Sequence, residues 1–270
     1  MSDSRKEWVR DRYGKIAAGS SGGCCSPASS CGCDSATVVA REVGYQTEDL
    51  SAVPDGANLG LGCGNPVAIA GIKEGEVVLD LGSGAGLDVF LAAERVGKTG
   101  RVIGVDMTPE MIAAATRNAA SGGYENVEFR QGDIEAMPVE DNSIDLVISN
   151  CVLNLVPDKS KAFAEIHRVL KPGGRIAVAD IVLDGPLPDI LKDDAGAYCS
   201  CISGAVSRSD YLEGLMDAGL ANVRVESEAD AADLLASDCC GDGASLPDLK
   251  GIVTSIKVTA CKPSGCRCCG

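Results

Sequence analysis

Cysteine is the residue type in this sequence with the most distinctive chemistry. There are fourteen cysteines in 270 residues, and the sole histidine is His167. Thiolates are soft ligands that select soft metal centres, whereas carboxylates and water do not. Eight cysteines crowd two segments, and the other six lie singly or in pairs, at Cys63, Cys151, Cys199, Cys201, Cys239 and Cys240. A single histidine excludes a His-rich metal site. A Ser-His-Asp or Cys-His hydrolase would have to use that one residue.

A glycine-rich turn is the second feature with chemical meaning. It follows a short apolar run and reads Asp80-Leu-Gly82-Ser83-Gly84-Ala-Gly86. Alternate glycines let the backbone approach any nucleoside ligand closely. A dinucleotide site has the spacing G-x-G-x-x-G and leads into a helix that binds a pyrophosphate. Here the spacing is G-x-G-x-G behind an acid, and an acid suits the ammonium and sulfonium charges of S-adenosylmethionine. Asp80 therefore favours a methyl-donor site over a nicotinamide site.

Acidic residues also follow the next two predicted strands. Asp106 ends the second strand, where it can accept hydrogen bonds from ribose hydroxyls. Asp133, with Ile134, follows the third strand and can bound an adenine. Acids at three successive strand ends are much harder to attribute to chance than any one of them. The predicted cofactor residues are Asp80, Gly82, Ser83, Gly84, Gly86, Asp106, Met107, Asp133, Ile134 and Asn150.

The apolar pattern predicts the scaffold that positions these residues. Predicted strands are VVLDL (77–81), VIGVD (102–106), VEFRQGD (127–133), DLVISN (145–150) and RIAVADIV (175–182), with helices between them. Strands that alternate with helices indicate an α/β, Rossmann-like doubly wound parallel sheet, whose ligand lies outside the carboxyl ends of the strands. Two further strands, near ANVRVES and IVTSIKVTA, are expected to close the sheet. A short amphipathic helix is predicted over 5–17, and Pro172-Gly-Gly174 predicts a turn.

The successive motifs resemble those of the class I methyltransferases. They cover about residues 71–183 and read VLDLGSGAG, GVDMTPEM, GDIEAMPVEDNSIDLVISN and HRVLKPGGRIAVAD. Three more specific segments resemble the arsenite methyltransferases, namely NLGLGCGNP (58–66), SNCVLNLVPDK (149–159) and YCSCISGA (198–205). The resemblance implies four regions: an N-terminal helix with a Cys-rich segment (1–70), the methyl-donor core (71–183), an arsenic-binding and sheet-closing region (184–260) and a Cys-rich tail (261–270).

The resemblance also implies that Cys63, Cys151 and Cys201 are arsenic ligands or redox partners. Cys151 has support from the residues as well, because it follows the fourth strand at the same sheet edge as the glycine turn. A fourth family cysteine lies closer to the N-terminus, where spacing favours Cys33 or Cys31 without deciding between them. Cys199 is a neighbour that could substitute for Cys201. As single buried cysteines, all of these could instead be small core residues.

The expected chemistry is an in-line displacement, in which thiolate-bound As(III) attacks the sulfonium methyl group. No general base is needed, in agreement with the lack of a candidate histidine. Family resemblance adds a thiol reductant, thioredoxin or glutathione, as co-substrate, and arsenite and methylated arsenicals as ligands. Two alternatives remain open: a methyltransferase for another small molecule, and a thiol-rich protein that sequesters soft metals. The terminal CKPSGCRCCG could wrap a soft ion or be an incidental tail.

Charge and hydropathy limit the partners. The formal net charge is −15, which repels nucleic acid and anionic lipid surfaces. The N-terminus has no apolar signal-peptide core, and no stretch reaches the roughly 18 apolar residues of a membrane span. We therefore expect a cytoplasmic protein with reduced thiols, without nucleic-acid or membrane partners.

Overall fold

The structure is a computed structural model that describes residues 2–19, 35–232 and 248–264. Its strands are β1 Val77–Leu81, β2 Arg101–Asp106, β3 Val127–Gln131, β4 Ile144–Asn150, β5 Leu170–Leu183, β6 Ala221–Asp230 and β7 Val253–Cys261. Its α-helices are α1 Ser2–Ala17, α2 Ser35–Glu42, α3 Thr47–Ala52, α4 Leu87–Val96, α5 Pro109–Gly122, α6 Lys159–Val169, α7 Ala195–Cys199 and α8 Arg208–Asp217. Short 3-10 turns occupy Leu153–Leu155 and Asp189–Leu191.

The strands form one seven-stranded sheet in the order β3-β2-β1-β4-β5-β7-β6. The first five strands pair in parallel, and β7 pairs antiparallel with both β5 and β6. The strand order reverses direction between β1 and β4, so the loops after these strands diverge and leave a crevice. The predicted doubly wound sheet is confirmed, and so are the two closing strands.

Apolar side chains cover both faces of the sheet. Phe163 of α6 and Tyr211 of α8 pack edge to face on one side. Phe90 of α4 lies in the cluster on the other side. A third apolar cluster forms at the carboxyl end of the sheet, under α1, and it includes Cys63 and Cys151. The core therefore extends directly into the region where a ligand is expected.

Two local predictions differ from the structure. The segment Pro172-Gly-Gly174, predicted to be a turn, belongs to the irregular first part of β5. There the pairing with β4 shifts register between Ile144 and Leu146. Gly173 has a φ of 84° there and donates its N–H to Lys262 O at 2.9 Å. Cys261, assigned from sequence to the tail, is the last residue of β7 because it pairs with Arg175.

Within the described parts of the chain, every helix falls short of the length and apolarity needed to span a membrane. The crowded cysteines before Ser35 and after Ser264, including Cys31 and Cys33, lie outside the described residues.

Candidate active site

One cavity lies at the carboxyl ends of β1, β2, β3 and β4, beneath α1. Its wall is built from the loops after these strands, the segment before β1 and the segment after α7. All but one of the predicted site residues within the described ranges line it: Cys63, Asp80, Gly82, Ser83, Gly84, Asp106, Met107, Asp133, Ile134, Asn150, Cys151 and Cys201. The exception is Gly86, which begins α4 with a φ of 102° and shapes the turn from outside the wall.

The glycine turn brings two loops into direct contact. Gly82 has a φ of 65°, and a Cβ at this position would overlap the side chain of Val152 in the loop after β4. Gly84 N–H donates to Asp106 Oδ2 at 3.0 Å, which ties the loop after β1 to the end of β2. Backbone, rather than side chains, therefore forms this part of the wall.

Three carboxyl groups make the wall electronegative. Asp80 is 3% exposed and lies near two further carboxyl groups, those of Asp88 and Asp106. Burial, together with the charges of Asp88 and Asp106, raises its pKa well above the usual value. Burial also raises the pKa of Asp106, and that of Asp88 to about 6. A buried carboxylate is costly without a partner, so this wall favours a ligand with a positive charge.

Asp133, the predicted adenine neighbour, is engaged by α1. Lys6 Nζ contacts Asp133 Oδ2 at 2.6 Å and Glu135 Oε2 at 2.7 Å. Asp133 Oδ1 accepts from the N–H of Glu135 at 2.9 Å. These hydrogen bonds and the charge of Lys6 lower the pKa of Asp133, although partial burial opposes them.

The predicted thiol residues meet at the other end of the cavity. Cys63 and Cys151 form a disulfide with Cα atoms 5.7 Å apart, although they are 88 residues apart in sequence. The expectation of reduced thiols is therefore wrong for this pair in this structure. Cys201 carries a thiol that donates to Cys151 O at 2.7 Å. Cys199 is also a buried thiol, and burial raises its pKa.

Cys151 and Cys201 share an unusual backbone conformation. Their φ values are 59° and 65°, and the other described non-glycine residues with positive φ are Asn142 and Asn222. Asparagine tolerates the left-handed region, whereas cysteine adopts it at a cost of about 1 kcal/mol or more. Cys151 N–H is held by Ala179 O at 2.7 Å. Surrounding contacts therefore impose the orientation of these two side chains.

Comparison with known proteins agrees with this arrangement. Residues 72–231 match the family described as a methyltransferase domain. The arsenite methyltransferase of Halobacterium salinarum is 42% identical over 275 aligned positions, which cover 97% of this chain and 68% of the relative. The chain belongs to the arsenite methyltransferase family. It is an S-adenosylmethionine-dependent enzyme by this membership.

Two further family members support the assignment. The arsenite methyltransferase of Aquipseudomonas alcaligenes is 38% identical over 213 positions, covering 76% of this chain and 59% of the relative. The structure of an arsenic(III) S-adenosylmethionine methyltransferase from Chlamydomonas reinhardtii superposes with a TM-score of 0.63 at 34% identity. That superposition covers 84% of this chain and 74% of the algal chain. The chain is thus shorter than each of these family members.

Asp180 lies beside the cysteine pair, and the sequence pattern did not single it out. It lies on β5, and a carboxylate oxygen, Cys63 Sγ and Cys151 Sγ are all within 4.8 Å of one another. Burial raises its pKa to about 7, while the charge of Lys159 and a hydrogen bond from Tyr211 Oη at 3.2 Å oppose this. The available signal was one acid inside the apolar strand RIAVADIV.

Helix α1 also contributes more than its sequence indicates. The pattern predicted a helix, but it did not place the helix over the cavity of this family member. Val9 is buried there, and Tyr13 Oη donates to Cys199 O at 3.1 Å. Trp8 packs edge to face on Tyr198 with ring centroids 6.3 Å apart. These contacts join the roof of the cavity to the segment that carries Cys201.

Proposed function

We propose that this protein methylates trivalent arsenic, with S-adenosylmethionine as methyl donor and Cys63, Cys151 and Cys201 as the thiolates that bind As(III). The products are a methylated arsenical and S-adenosylhomocysteine. The observation that carries the proposal is the shared cavity, because the cysteine cluster and the buried Asp80 carboxylate face the same space.

The donor end fits S-adenosylmethionine by its charge and its backbone. Asp80 needs a positive partner, and the ammonium group of the donor supplies one. Asp106 has carboxylate oxygens that can accept from ribose hydroxyls, and the Gly82–Gly84 turn allows close approach. When bound, the donor supplies an electrophilic methyl group on a sulfonium. The residues of the chain hold and orient it.

The acceptor end fits a thiophilic atom. Three thiolates bind As(III) and leave its lone pair free for attack on the methyl carbon. Apolar neighbours such as Leu155 and Ile202 exclude water from the cysteines. No general base is required, because the arsenic lone pair carries no proton, and alignment of the two bound reactants lowers the barrier by an amount on the order of several kcal/mol.

The disulfide sets a condition for this reaction. Two thiols of a reductant supply the two electrons that reduce the Cys63–Cys151 disulfide. The reductant thiols become one disulfide, and Cys63 and Cys151 become free thiols. Methyl transfer also oxidises arsenic formally by two electrons, and a thiol pair can restore the trivalent state. Thioredoxin or glutathione, both thiol reductants of the cytoplasm, is the proposed co-substrate class.

The direct test is incubation of reduced protein with arsenite, S-adenosylmethionine and excess thiol, followed by arsenic speciation. We expect methylarsenicals and one S-adenosylhomocysteine for each methyl group transferred, with neither formed by protein kept in the disulfide state without thiol. Arsenite binding without methyl transfer would instead indicate a sequestering protein. If no methylarsenicals form and the donor is consumed in methylating another small molecule, the result favours a methyltransferase for that molecule.

A further inference from the structure

A buried hydrogen-bond chain connects the donor end of the cavity to the Cys63 loop. Tyr45 Oη donates to Asp88 Oδ1 at 2.7 Å, and Asn150 Nδ2 donates to Tyr45 Oη at 2.9 Å. Asn150 Oδ1 accepts from Cys63 N–H at 3.1 Å, and its Nδ2 also reaches Gly64 O at 2.8 Å. Asn150, predicted to contact the cofactor, thus directs both ends of its amide towards the cysteine loop.

The far end of this chain holds the Cys63 peptide on both sides. Asn150 accepts its N–H, and Ser255 Oγ donates to its carbonyl oxygen at 2.9 Å. Gly62 has a φ of 109°, and a Cβ there would lie 2.7 Å from Asn150 Nδ2. The hydrogen bonds to Asn150 therefore hold the loop against β4, and the close packing at Gly62 leaves no room for a nearer approach.

The near end lies in the donor wall. Asp88 lines the cavity in the first turn of α4, and its charge is one of the causes that raise the pKa of Asp80. Burial and the charge of Asp88 raise the pKa of Tyr45 well above its usual value, so the phenol stays protonated and donates. Tyr45 is 2% exposed and Asp88 is 7% exposed, so water cannot easily replace either hydrogen bond.

We infer that Tyr45, Asp88 and Asn150 are positioning residues that link occupancy of the donor site to arsenic binding at Cys63. The inference rests on the proposed function. A cation bound at Asp80 offsets the repulsion between Asp80 and Asp88, which favours the ionised Asp88 and strengthens its hydrogen bond from Tyr45. Asp88 then orders Asn150 through Tyr45 and through its own longer contact with Asn150 Nδ2 at 3.4 Å, and Asn150 orders the Cys63 loop. By linkage, each ligand raises the affinity of the other by the same factor.

The test measures arsenite affinity of the reduced full chain with and without saturating S-adenosylhomocysteine. Equilibrium dialysis, with arsenic quantified by elemental mass spectrometry, gives both dissociation constants. For wild type we expect about fivefold tighter arsenite binding with S-adenosylhomocysteine, the lower end of typical linkage. Tyr45→Phe removes the hydroxyl at nearly constant volume and should lower this ratio, because it leaves only the 3.4 Å contact between Asn150 Nδ2 and Asp88 Oδ2. The matched control is Tyr124→Phe, whose hydroxyl reaches Ala52 O outside the chain of hydrogen bonds.

Thermal unfolding and S-adenosylhomocysteine affinity separate this role from a purely structural one. If Tyr45→Phe does not fold, Asp88→Asn tests the same link, because it removes the charge and keeps the shape. A wild-type ratio of one, or an unchanged ratio in the folded variants, overturns the inference. Wild-type protein that neither binds nor methylates arsenite overturns the proposed function itself, so the two failures are distinguishable.

Discussion

The two ends of the cavity are built in different ways. The donor end comes from one stretch of chain, in which β1, β2 and β3 are each followed by a loop at the same sheet edge. The thiol end combines Cys63 from before β1, Cys151 from after β4 and Cys201 from after α7. The parallel sheet positions the first set directly, whereas the second set depends on contacts between distant segments.

This difference predicts that the two ends can be damaged separately. Changes at the thiol end should stop the reaction and leave donor binding intact. Changes at the donor end should weaken binding of the donor. They should leave unchanged the arsenite affinity that is measured without the donor. Helix α1 should matter less, because it covers the cavity without supplying a predicted site residue, and the last described residues should matter least, because they lie outside the wall.

The largest expected effect is that of Cys151→Ser. A hydroxyl is a poor ligand for a soft centre, so arsenite methylation should fall at least ~100-fold, while the affinity for S-adenosylhomocysteine stays within about threefold. Arsenic speciation and calorimetric titration measure the two quantities. Cys261→Ser on β7, outside the cavity wall, is the matched control and should keep full activity. Wild-type rates for both Cys151→Ser and the Cys199→Ser/Cys201→Ser double variant would refute the thiolate site.

Asp80→Asn should have the next largest effect. Loss of a charged hydrogen-bond partner should weaken S-adenosylhomocysteine binding about 10- to 100-fold, whereas arsenite binding to the reduced protein without donor should not change. Calorimetry measures the first and equilibrium dialysis the second. Asp217→Asn changes an exposed acid at the end of α8 and serves as control. Equal donor affinity in the two variants would exclude Asp80 from the donor site.

The raised pKa of Asp80 and the pKa of about 6 of Asp88 also predict a pH dependence. Both groups bind protons more tightly in the folded than in the unfolded protein, so their stabilising contribution is present at low pH and is lost as pH rises through their folded-state pKa values, which for Asp88 is about 6. The ammonium group, which S-adenosylhomocysteine shares with the methyl donor, prefers the ionised carboxylates. The increase in melting temperature on adding S-adenosylhomocysteine should therefore be larger at about pH 7.5 than at about pH 5.5, and Asp80→Asn should reduce this difference.

Lys6→Ala should have a smaller effect. Lys6 joins α1 to Asp133 and Glu135 with little exposure of the side chain, and a pair of this kind contributes about 1 kcal/mol or less. Release of S-adenosylhomocysteine should become about threefold faster, as followed by stopped-flow fluorescence of Trp8, the single tryptophan. Lys15→Ala removes an exposed pair with Asp11 on the same helix and should not change the rate. Identical release rates would show that α1 does not retain the donor.

Truncation at the C-terminus should have the least effect on turnover. A chain ending at Ser264 should methylate arsenite at the wild-type rate in excess thiol. A chain ending at Cys261 should keep most activity but melt about 3 °C lower or more, because Lys262 Nζ donates to Asn142 Oδ1, His167 O and Leu170 O. Scanning calorimetry compares the two. Loss of turnover in the chain that ends at Ser264 would show that residues 265–270 take part in the reaction.

The sequence by itself determined the scaffold and the positions of the residues at the proposed donor end. Strand and helix periodicities are local, and a glycine turn after a buried strand has one position relative to that strand. Asp80 and Asp106 therefore followed from the order of the strands alone. Cys151 followed for the same reason, because it comes directly after β4.

Only the tertiary structure decided how the other residues meet. Tyr45 reaches Asp88 and Asn150 across the sheet edge, Lys6 reaches Asp133 from α1, and Asp180 lies close to the Cys63–Cys151 disulfide. No periodicity records such contacts, because they join segments whose separation along the chain bears no relation to their distance in space. The disulfide was missed for the same reason, since composition argued for reduced thiols while the packing of the Gly62–Gly64 loop on β4 brought the two sulfurs together.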